Sequence, residues 1–350
     1  MASTPRKPSQ RDIARIAGVS QTAVSMVLNG KADVHQLSPA TQERVREAIA
    51  TLGYVPNLNG RSLRGGRNGL IGVHTYQSVF PVLPDDYYHE FLVGIEGAAV
   101  RARQDLILFA STERADGSRR IYRGGGNRLH LADGAVILGV EPNTDDLERL
   151  ADEGYPFVYV GRRAVVAPSV PYVTADYAGA VREIVERLAG AGHRTVSYLG
   201  IAERFEPQQE RLDAYRDHCV AVGLVAGPDA LIDPEQVTAE LLRSIMDSGS
   251  TALVVETVEL GEAFSAVAAA LAVAVPEDLS VVLLDPPSQA LRGWSHLVVP
   301  RREMGAGAVE ALLALLDGRL EPGHVDKIAC PVVGLGTIAA PRQDAAEATT

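Results

Sequence analysis

Hydrogen-bonding side chains follow a glycine turn near the start of the chain. Ile13, Ile16 and Ala17 lie at helical spacing and predict a short helix with one apolar face. Gly18 can then adopt the positive φ of a tight turn, and Ser20 can cap a second helix by accepting a backbone N–H. We expect the second helix and its end to contact a partner through six side chains, Ser20, Gln21, Thr22, Ser25, Met26 and Asn29. Amide and hydroxyl groups at the start of such a helix can bond to base edges in the DNA major groove, so the pattern predicts a helix-turn-helix. An ordinary helical hairpin is the alternative.

No other group of reactive side chains has the spacing of an active site. The eight histidines form no HxxxH or HExxH pair, and the sequence has no GxSxG elbow. The glycine-rich segment 122–127 lacks the GK[ST] ending of a phosphate-binding loop, and we predict an ordinary loop there. Cys219 and Cys330 lack CxxC spacing, which indicates reduced thiols. We therefore expect no catalysis, no metal and no cofactor.

A third helix completes the predicted head. Ser38 is its N-cap, Pro39 stands at the first helical position and Gly53 ends the helix. Apolar side chains repeat at i, i+3, i+4 and i+7 from Val45. Three such helices can share one small core, so the head is predicted to be all-α.

Charge divides the chain into a basic start and an acidic remainder. The net charge of the 350 residues is -11, yet the first 68 residues hold ten Lys and Arg against four Asp and Glu. The remaining residues hold 23 basic and 40 acidic side chains. A basic head on an acidic body directs polyanions to one end of the chain. Because the sequence has neither a long apolar run nor an apolar N-terminal segment, we predict a cytoplasmic protein without a membrane span or a secretory signal.

From Gly69 onwards, short apolar runs alternate with segments of helical spacing. The predicted strands are 70–75, 106–110, 135–139, 157–160, 170–174, 195–199, 252–255 and 281–284. The predicted helices are 88–103, 178–191, 210–222, 259–271 and 302–316. This alternation is typical of parallel sheets wound on both faces, and ligands bind beyond the carboxyl ends of their strands. Two sheets that face a cleft fit the length better than one large sheet.

The head resembles that of the LacI/GalR family of repressors. The resemblance rests on DIARIAGVSQTAVSMVLNG at 12–30, GYVPN at 53–57 and RSL at 61–63. In that family the last segment is a hinge helix that folds when two subunits meet on DNA, and it inserts a leucine into the minor groove. The further DNA contacts that the resemblance implies are Tyr54, Asn57, Arg61 and Leu63, with Leu63 as the wedge. A flexible linker with an incidental leucine is the alternative.

The resemblance continues through seven segments of the body, in the order that the family has. They are EFLVGIEGAA (90–99), LADGAVILG (131–139), VTADYAGAV (173–181), LAGAGHRTVSYLG (188–200), QERLDAY (209–215), VPEDLSVVLLD (275–285) and EMGAGAVEALLALLDGR (303–319). The implied fold is an all-α helix-turn-helix head plus an α/β two-lobed, periplasmic-binding-protein-like body with two doubly wound parallel sheets.

The resemblance also implies the limits of the domains. The head spans 1–56, the hinge helix and linker 57–68, the effector-binding and dimerisation domain 69–340 and a disordered tail 341–350. Within the body, the expected N-lobe is about 69–161 and 300–322, and the expected C-lobe is about 172–289 and 332–340. The chain would then cross between the lobes near 161–172, 289–300 and 322–332.

The family's effector contacts match part of this sequence. Arg211 matches the arginine of an R-L-x-x-Y element, which holds effector hydroxyls or a carboxylate with its planar fork of donors. Asp285 matches the first acid of a strand-end pair whose second position is Pro286 here. The other candidate effector contacts are Tyr76, Tyr88, Glu141, Arg162 and Glu256. Structural ion pairs for the charged residues and an aromatic cap over the core for the tyrosines are the alternatives.

Several positions depart from the family's pattern. Met26 stands where the family usually has an arginine, and an Arg contact to guanine provides about 1–3 kcal/mol of base discrimination. We therefore expect a different operator base or an apolar contact with a thymine methyl group. Gly60 replaces a usual alanine and should weaken the hinge helix by about 1 kcal/mol. The asparagine that usually follows the strand at 252–255 is missing, and Glu256 and Thr257 stand there instead. The identity of the effector therefore stays open.

These features predict a sequence-specific transcriptional regulator, most simply a repressor controlled by a small-molecule effector of carbohydrate type. One recognition helix reads only a half-site, so we expect a homodimer on a palindromic operator, with a tetramer as a further possibility. Three alternatives remain. They are a solute-binding receptor, an effector-independent regulator with a degenerate cleft, and an α/β enzyme with a DNA-binding head.

Overall fold

The computed structural model describes residues 8–28, 32, 36–54, 67–78, 87–110, 119–123, 126–139, 143–161 and 170–342, apart from the side chain of Arg123. Contacts within the chain separate two compact units, residues 1–68 and 69–350. Most of the predicted hinge and tail lies outside the described residues. The candidate contacts that also lie outside them are Asn29, Asn57, Arg61, Leu63, Glu141 and Arg162.

The described part of the first unit consists of three helices around a small apolar core. They are α1 (Gln10–Ala17), α2 (Gln21–Leu28) and α3 (Pro39–Leu52). Gly18 and Gly53 end α1 and α3 with φ of 61° and 55°, as the sequence predicts, because a residue without Cβ enters the left-handed region freely. The buried core residues are Ile13, Ala17, Val24, Val45 and Ala48.

Ile16 was predicted to lie on the buried face of α1, but it is exposed. Ile13 and Ala17 are buried on the inner face of α1, but Ile16 is 46% exposed. The helix has only eight residues, and the core formed by three short helices is too narrow to cover a third position on its face.

The first sheet of the second unit has six parallel strands in the order β13-β7-β6-β5-β1-β2. In chain order they are β1 (Leu70–Thr75), β2 (Asp105–Leu108), β5 (Gly134–Leu138), β6 (Phe157–Val160), β7 (Tyr172–Asp176) and β13 (Val325–Ala329). Every residue of β5 and β6 is buried, as the unbroken apolar runs in their sequences predict.

The second sheet also has six strands, in the order β14-β12-β11-β10-β8-β9. They are β8 (Thr195–Gly200), β9 (Val225–Leu231), β10 (Ala252–Val255), β11 (Ser280–Leu283), β12 (Ser295–Leu297) and β14 (Val332–Val333). All pairs are parallel except β12 with β14 at one edge. The predicted fold, a helical head and a body of two doubly wound sheets, is confirmed.

Helices cover both sheets. They are α4 (His89–Arg101), α5 (Thr144–Asp152), α6 (Tyr177–Gly190), α7 (Glu206–Val222), α8 (Ala239–Asp247), α9 (Val258–Ala270) and α10 (Arg301–Leu316). Helices α4 and α10 cross in close contact, because a Cβ on Gly94 would collide with the Arg302 carbonyl and a Cβ on Gly305 with the Phe91 carbonyl. The largest apolar core contains residues of both sheets, including Val173 of β7 and Val196 of β8.

The predicted limits of the two lobes need correction at two of the three crossings. Strand β7 was expected to begin the C-lobe near residue 172, but it pairs with β6 and β13 in the first sheet. The chain therefore first crosses between the sheets after Asp176, through α6. Strand β13 likewise extends the N-lobe to Ala329, beyond the expected limit at 322.

The segment 122–127, predicted to be a loop, contributes a small β-hairpin. Tyr122–Arg123 (β3) pairs antiparallel with Gly126–Asn127 (β4), and a short 3₁₀ helix, Arg128–Leu131, follows. Arg149 of α5 lies over the Tyr122 ring at 3.9 Å, which fixes the hairpin against that helix.

Candidate functional site

The first candidate surface is the start of α2 in the head. Ser20 caps this helix by accepting a hydrogen bond from the Ala23 N–H at 3.1 Å. Gln21 and Thr22 are exposed in the first turn, whereas Ala23 and Val24 are buried beneath them. Ser25 and Met26 are half-buried, farther along the same helix. The helix therefore presents its first turn to solvent and holds it in place through a buried opposite face.

The charges on the head favour contact with a polyanion. The first turn of α2 contains no acidic residue, so the positive end of its dipole is not neutralised within the turn. Arg11, Arg15 and Arg44 are exposed on α1 and α3. The acidic group of α1 is already engaged, because Asp12 forms a reciprocal capping box with Ser9.

Tyr54, predicted to contact DNA, is half-buried after α3. Its side chain packs against the core of the head, and its N–H donates to the Ile49 carbonyl at 3.1 Å. This packing orders the chain where it leaves the head. A DNA contact by Tyr54 stays a prediction.

The second candidate site is a cavity of about 210 Å³ at the carboxyl ends of the strands in the body. Gly139, Gly161 and Asp285, which follow β5, β6 and β11, contribute to its wall. Parallel strands end at the same edge of a sheet, so residues far apart in the sequence meet there. Both sheets supply wall residues, which places the cavity between the lobes.

Arg211 is the central charged group of this cavity. It is 6% exposed, and its guanidinium carbon lies 4.3 Å from the centre of the Tyr177 ring. Nη1 donates to the Glu256 carbonyl at a long 3.4 Å, and the buried Nε has no hydrogen-bond partner among the described residues. A cation with an unused buried donor can bind an acceptor on a ligand.

Arg301 and Asp285 form an ion pair across the cavity. Nη2 of Arg301 lies 3.1 Å from Oδ1 of Asp285, and the two side chains are each 22% exposed. Burial raises the pKa of the Asp285 carboxyl, and Arg301 and Arg211 oppose this rise. Because Arg301 begins α10 beside the first sheet and Asp285 follows β11 of the second, the pair joins the two lobes.

Tyr88 lies in the cavity wall, but Tyr76 does not. The Tyr88 hydroxyl donates to the Gln77 side chain, and Tyr87 lines the cavity beside it. Tyr76 is 3% exposed and packs edge-on against His74 within a separate apolar core. Its predicted role as an effector contact is therefore corrected: its side chain is core packing behind Gly139.

Glu256 is likewise outside the cavity wall. It is fully buried and accepts hydrogen bonds from the Tyr198 hydroxyl at 2.7 Å and from the Ile201 N–H at 2.9 Å. Arg204 compensates its charge. A buried carboxylate needs such partners, so the predicted effector contact of Glu256 is replaced by a structural ion pair.

The cavity residues that sequence reasoning did not find include Tyr177, Gln208, Glu259 and Arg301. Tyr177 comes directly after Asp176 at the end of β7 and could have been found by the strand-end rule. For Arg301 the signal was its position at the start of a predicted helix. A basic residue there is unfavourable to the helix dipole, which indicates that it serves a purpose other than helix stability, such as ligand binding.

The described residues contain no group of three or more His, Cys, Asp or Glu side chains that could hold a metal ion. No helix among them is long and apolar enough to cross a membrane.

Two family models match the chain. The model of bacterial regulatory proteins of the lacI family matches residues 10–57, and that of the periplasmic binding protein-like domain matches residues 185–335. The chain is 30% identical over 268 residues to the maltose regulon regulatory protein MalI of Escherichia coli, a match that covers 75% of each chain. It is 32% identical over 221 residues to the transcriptional regulator CelR of Thermobifida fusca, over 63% of each chain.

Solved structures share the fold. The lac repressor dimer bound to operator and the anti-inducer ONPF has a TM-score of 0.67 at 20% identity, with 96% of this chain and 100% of that chain covered. The complex of the transcriptional regulator CelR with cellobiose has a TM-score of 0.57 at 24% identity, with 93% and 98% covered.

Proposed function

The chain belongs to the LacI family of bacterial regulatory proteins, and from this membership we propose that it represses transcription as a homodimer on a palindromic operator. Regulation of transcription through DNA binding is what this family does, and the chain is a regulator of that kind. A small-molecule effector of sugar type, bound between the lobes of the body, controls the affinity for the operator.

The observation that carries the proposal is the geometry of α2. Gln21 and Thr22 are exposed at its start, while Ala23 and Val24 fix the helix on the core. Amide and hydroxyl side chains at this place can bond to base edges, and the helix N-terminus attracts phosphate. We therefore assign the reading of bases to Gln21, Thr22, Ser25 and Met26.

Dimerisation follows from the size of this surface. One recognition helix contacts a few base pairs, so high specificity needs two half-sites about one helical turn apart. A two-fold dimer presents two copies of α2 to such a site. The structural similarity to a repressor dimer on its operator supports this arrangement.

The effector site is the cavity with Arg211, Asp285 and Arg301 in its wall. Residues of both lobes contact the same small volume, so a ligand there changes how the lobes are held. Coupling of this kind changes affinity at a second site by about 5- to 150-fold. DNA is the partner of the head, so we place the protein in the cytoplasm and assign it no catalytic activity.

Selection of duplexes from a random pool by the full-length protein tests the assignment of α2. We expect a two-fold symmetric consensus, and we expect Gln21→Ala to lose preference at one position of each half-site. Glu183→Ala, an exposed change on α6 of the body, is the control and should select the same consensus. An unchanged consensus for Gln21→Ala, or no consensus for the unmodified chain, would refute the assignment.

A further inference from the structure

Two guanidinium groups in the cavity wall have donors that no described residue accepts. The Nε atoms of Arg211 and Arg301 are both buried, and neither has a hydrogen-bond partner in the part of the chain that the structure describes. Both residues line the cavity. A buried donor without an acceptor is unfavourable, so a ligand that provides acceptors at these atoms is stabilised there.

The charged side chains around the cavity favour a ligand whose hydrogen-bond acceptor carries a negative charge. Glu256 pairs with Arg204, and Asp285 pairs with Arg301. Among the described residues, Arg211 has no carboxylate as an ion-pair partner, although it is 6% exposed. The two carboxylates near Arg211 are thus shared with two other arginines, and the cluster keeps one positive charge in excess. An anionic group on a ligand balances that charge better than a neutral hydroxyl does.

The other polar groups of the cavity and its volume indicate which further groups the ligand carries and how large it is. The buried Oε1 of Gln208 has no partner within the described ranges and can accept a hydrogen bond from a hydroxyl. Glu259, the other acid in the wall, is exposed at the rim, where water screens its charge. The volume of about 210 Å³ is below the about 300–1,000 Å³ of sites for drug-sized ligands and suits a ligand of the size of one sugar ring.

We propose that the effector is a small hydroxylated carboxylic acid of the size of a sugar acid, whose carboxylate binds Arg211. The inference rests on the proposed function, since it names the chemical class of the effector for the same cavity. The planar guanidinium of Arg211 matches a carboxylate, and the ring of Tyr177 beneath it fixes its orientation. Hydroxyl groups of the ligand contact Gln208 and the Nε–H of Arg301.

A single negative charge fits these surroundings better than a phosphate. Because Asp285 pairs with Arg301, Arg211 leaves about one positive charge to be balanced, which one carboxylate does and which the charge of a phosphate dianion exceeds. Sugar phosphates therefore serve as a separate arm of the test.

Isothermal titration of the full-length protein with matched ligands tests the inference. The pairs are glucuronate with glucose and galacturonate with galactose, together with gluconate and with the 6-phosphates of both sugars. We expect at least one acid to bind about 10-fold or more tightly than its neutral counterpart. Equal or tighter binding of the neutral sugars, tighter binding of a phosphate, or no binding of any acid would overturn the inference.

Two variants of α7 identify the contact. Arg211→Met keeps the length of the side chain and should weaken binding of the acid about 10- to 150-fold, because charged hydrogen bonds are lost. Arg216→Met is the matched control, since Arg216 lies on the same helix and pairs with Asp229 outside the cavity. If Arg211→Met does not fold, Arg211→Lys replaces it and should keep a preference for the acid. Equal effects of the Arg211 and Arg216 changes would contradict the assignment.

DNA binding without ligand separates this inference from the proposed function. An unmodified chain that binds its selected operator but prefers neutral sugars contradicts only the acidic effector. A chain that selects no operator contradicts the proposed function, whatever ligand it binds.

Discussion

Glu256 shows how a carboxylate is accommodated in the interior of the body. Its side chain is completely buried, yet Tyr198 donates to it and Arg204 provides the opposite charge from a position that is 16% exposed. Arg204 also donates to the Gln208 carbonyl in the first turn of α7. The pair therefore fixes the start of the helix that carries Arg211 in the cavity.

Glu256→Ala should lower the free energy of unfolding by about 3–5 kcal/mol, because it removes the counter-charge of Arg204 and leaves the buried Tyr198 hydroxyl without its acceptor. Urea unfolding followed by circular dichroism measures the change. Glu183→Ala is the control, since Glu183 and Arg187 form an i,i+4 pair with side chains 42% and 39% exposed, and its cost should be about 0.5 kcal/mol or less. Similar small losses for both variants would show that the Glu256 pair is not structural.

His74 should make the stability of the body depend on pH in the acid range. Burial lowers the pKa of His74 to about 4, with Asp146 opposing and Arg119 adding to the effect. Because the unfolded chain binds a proton near pH 6.5 and the folded chain does not until about pH 4, stability is lost as the pH falls between these values. The loss is at most about 3 kcal/mol. His74→Leu should remove it from unfolding curves recorded at each pH, and parallel profiles for the two proteins would contradict this origin.

The crossing of α4 and α10 positions one side of the cavity. Gly94 and Gly305 bring the two backbones together, so Phe91 on α4 and Arg301 at the start of α10 reach the same space. Contact between backbones leaves no side chain that can move aside. The geometry of the cavity is therefore sensitive to any atom added at this crossing.

Gly94→Ala should destabilise the body by about 1–3 kcal/mol and weaken effector binding, because the new methyl group pushes α4 away from α10. Gly97→Ala on the same helix is the matched control, since its Cβ would meet only the end of the Arg101 side chain, at 3.5 Å. The control should be neutral or stabilise the helix by up to about 1 kcal/mol. Thermal unfolding and effector titration of both variants measure the difference, and equal behaviour would mean that the crossing is not tight.

The strands that form unbroken apolar runs were predictable from the sequence, and β9 and β12 were not. All residues of β6 and β10 are buried, so each is an unbroken apolar run that marks a strand. Strand β9 has exposed residues, a glycine and a proline, and β12 has only three residues, so neither shows such a run. The sequence therefore reveals a strand most clearly where the strand is buried on both faces, and a partly exposed strand leaves a weaker pattern.

The candidate site was predictable only where strand ends or a family motif place a residue. Asp285 and Arg211 were found in this way, and both lie in the cavity wall. Glu256 also follows a strand, but its side chain turns into the interior towards Arg204. The direction of a side chain depends on tertiary partners that a single sequence does not reveal, and Gln208 was missed for the same reason.

The two units of the molecule carry opposite charge. The basic first 68 residues attract the DNA backbone, while the acidic remainder disfavours non-specific contact with it. Sequence-specific binding by a pair of heads and ligand binding in the body are thus separate tasks of separate units. Their coupling is what makes the chain a regulator.

Sedimentation of the full-length protein with a labelled duplex of the selected palindrome tests this account most directly. The account predicts one complex that contains two chains per duplex, at least about 10³-fold tighter than a complex with scrambled DNA at the same salt concentration. One chain per duplex, or equal affinity for the palindrome and the scrambled sequence, would contradict it.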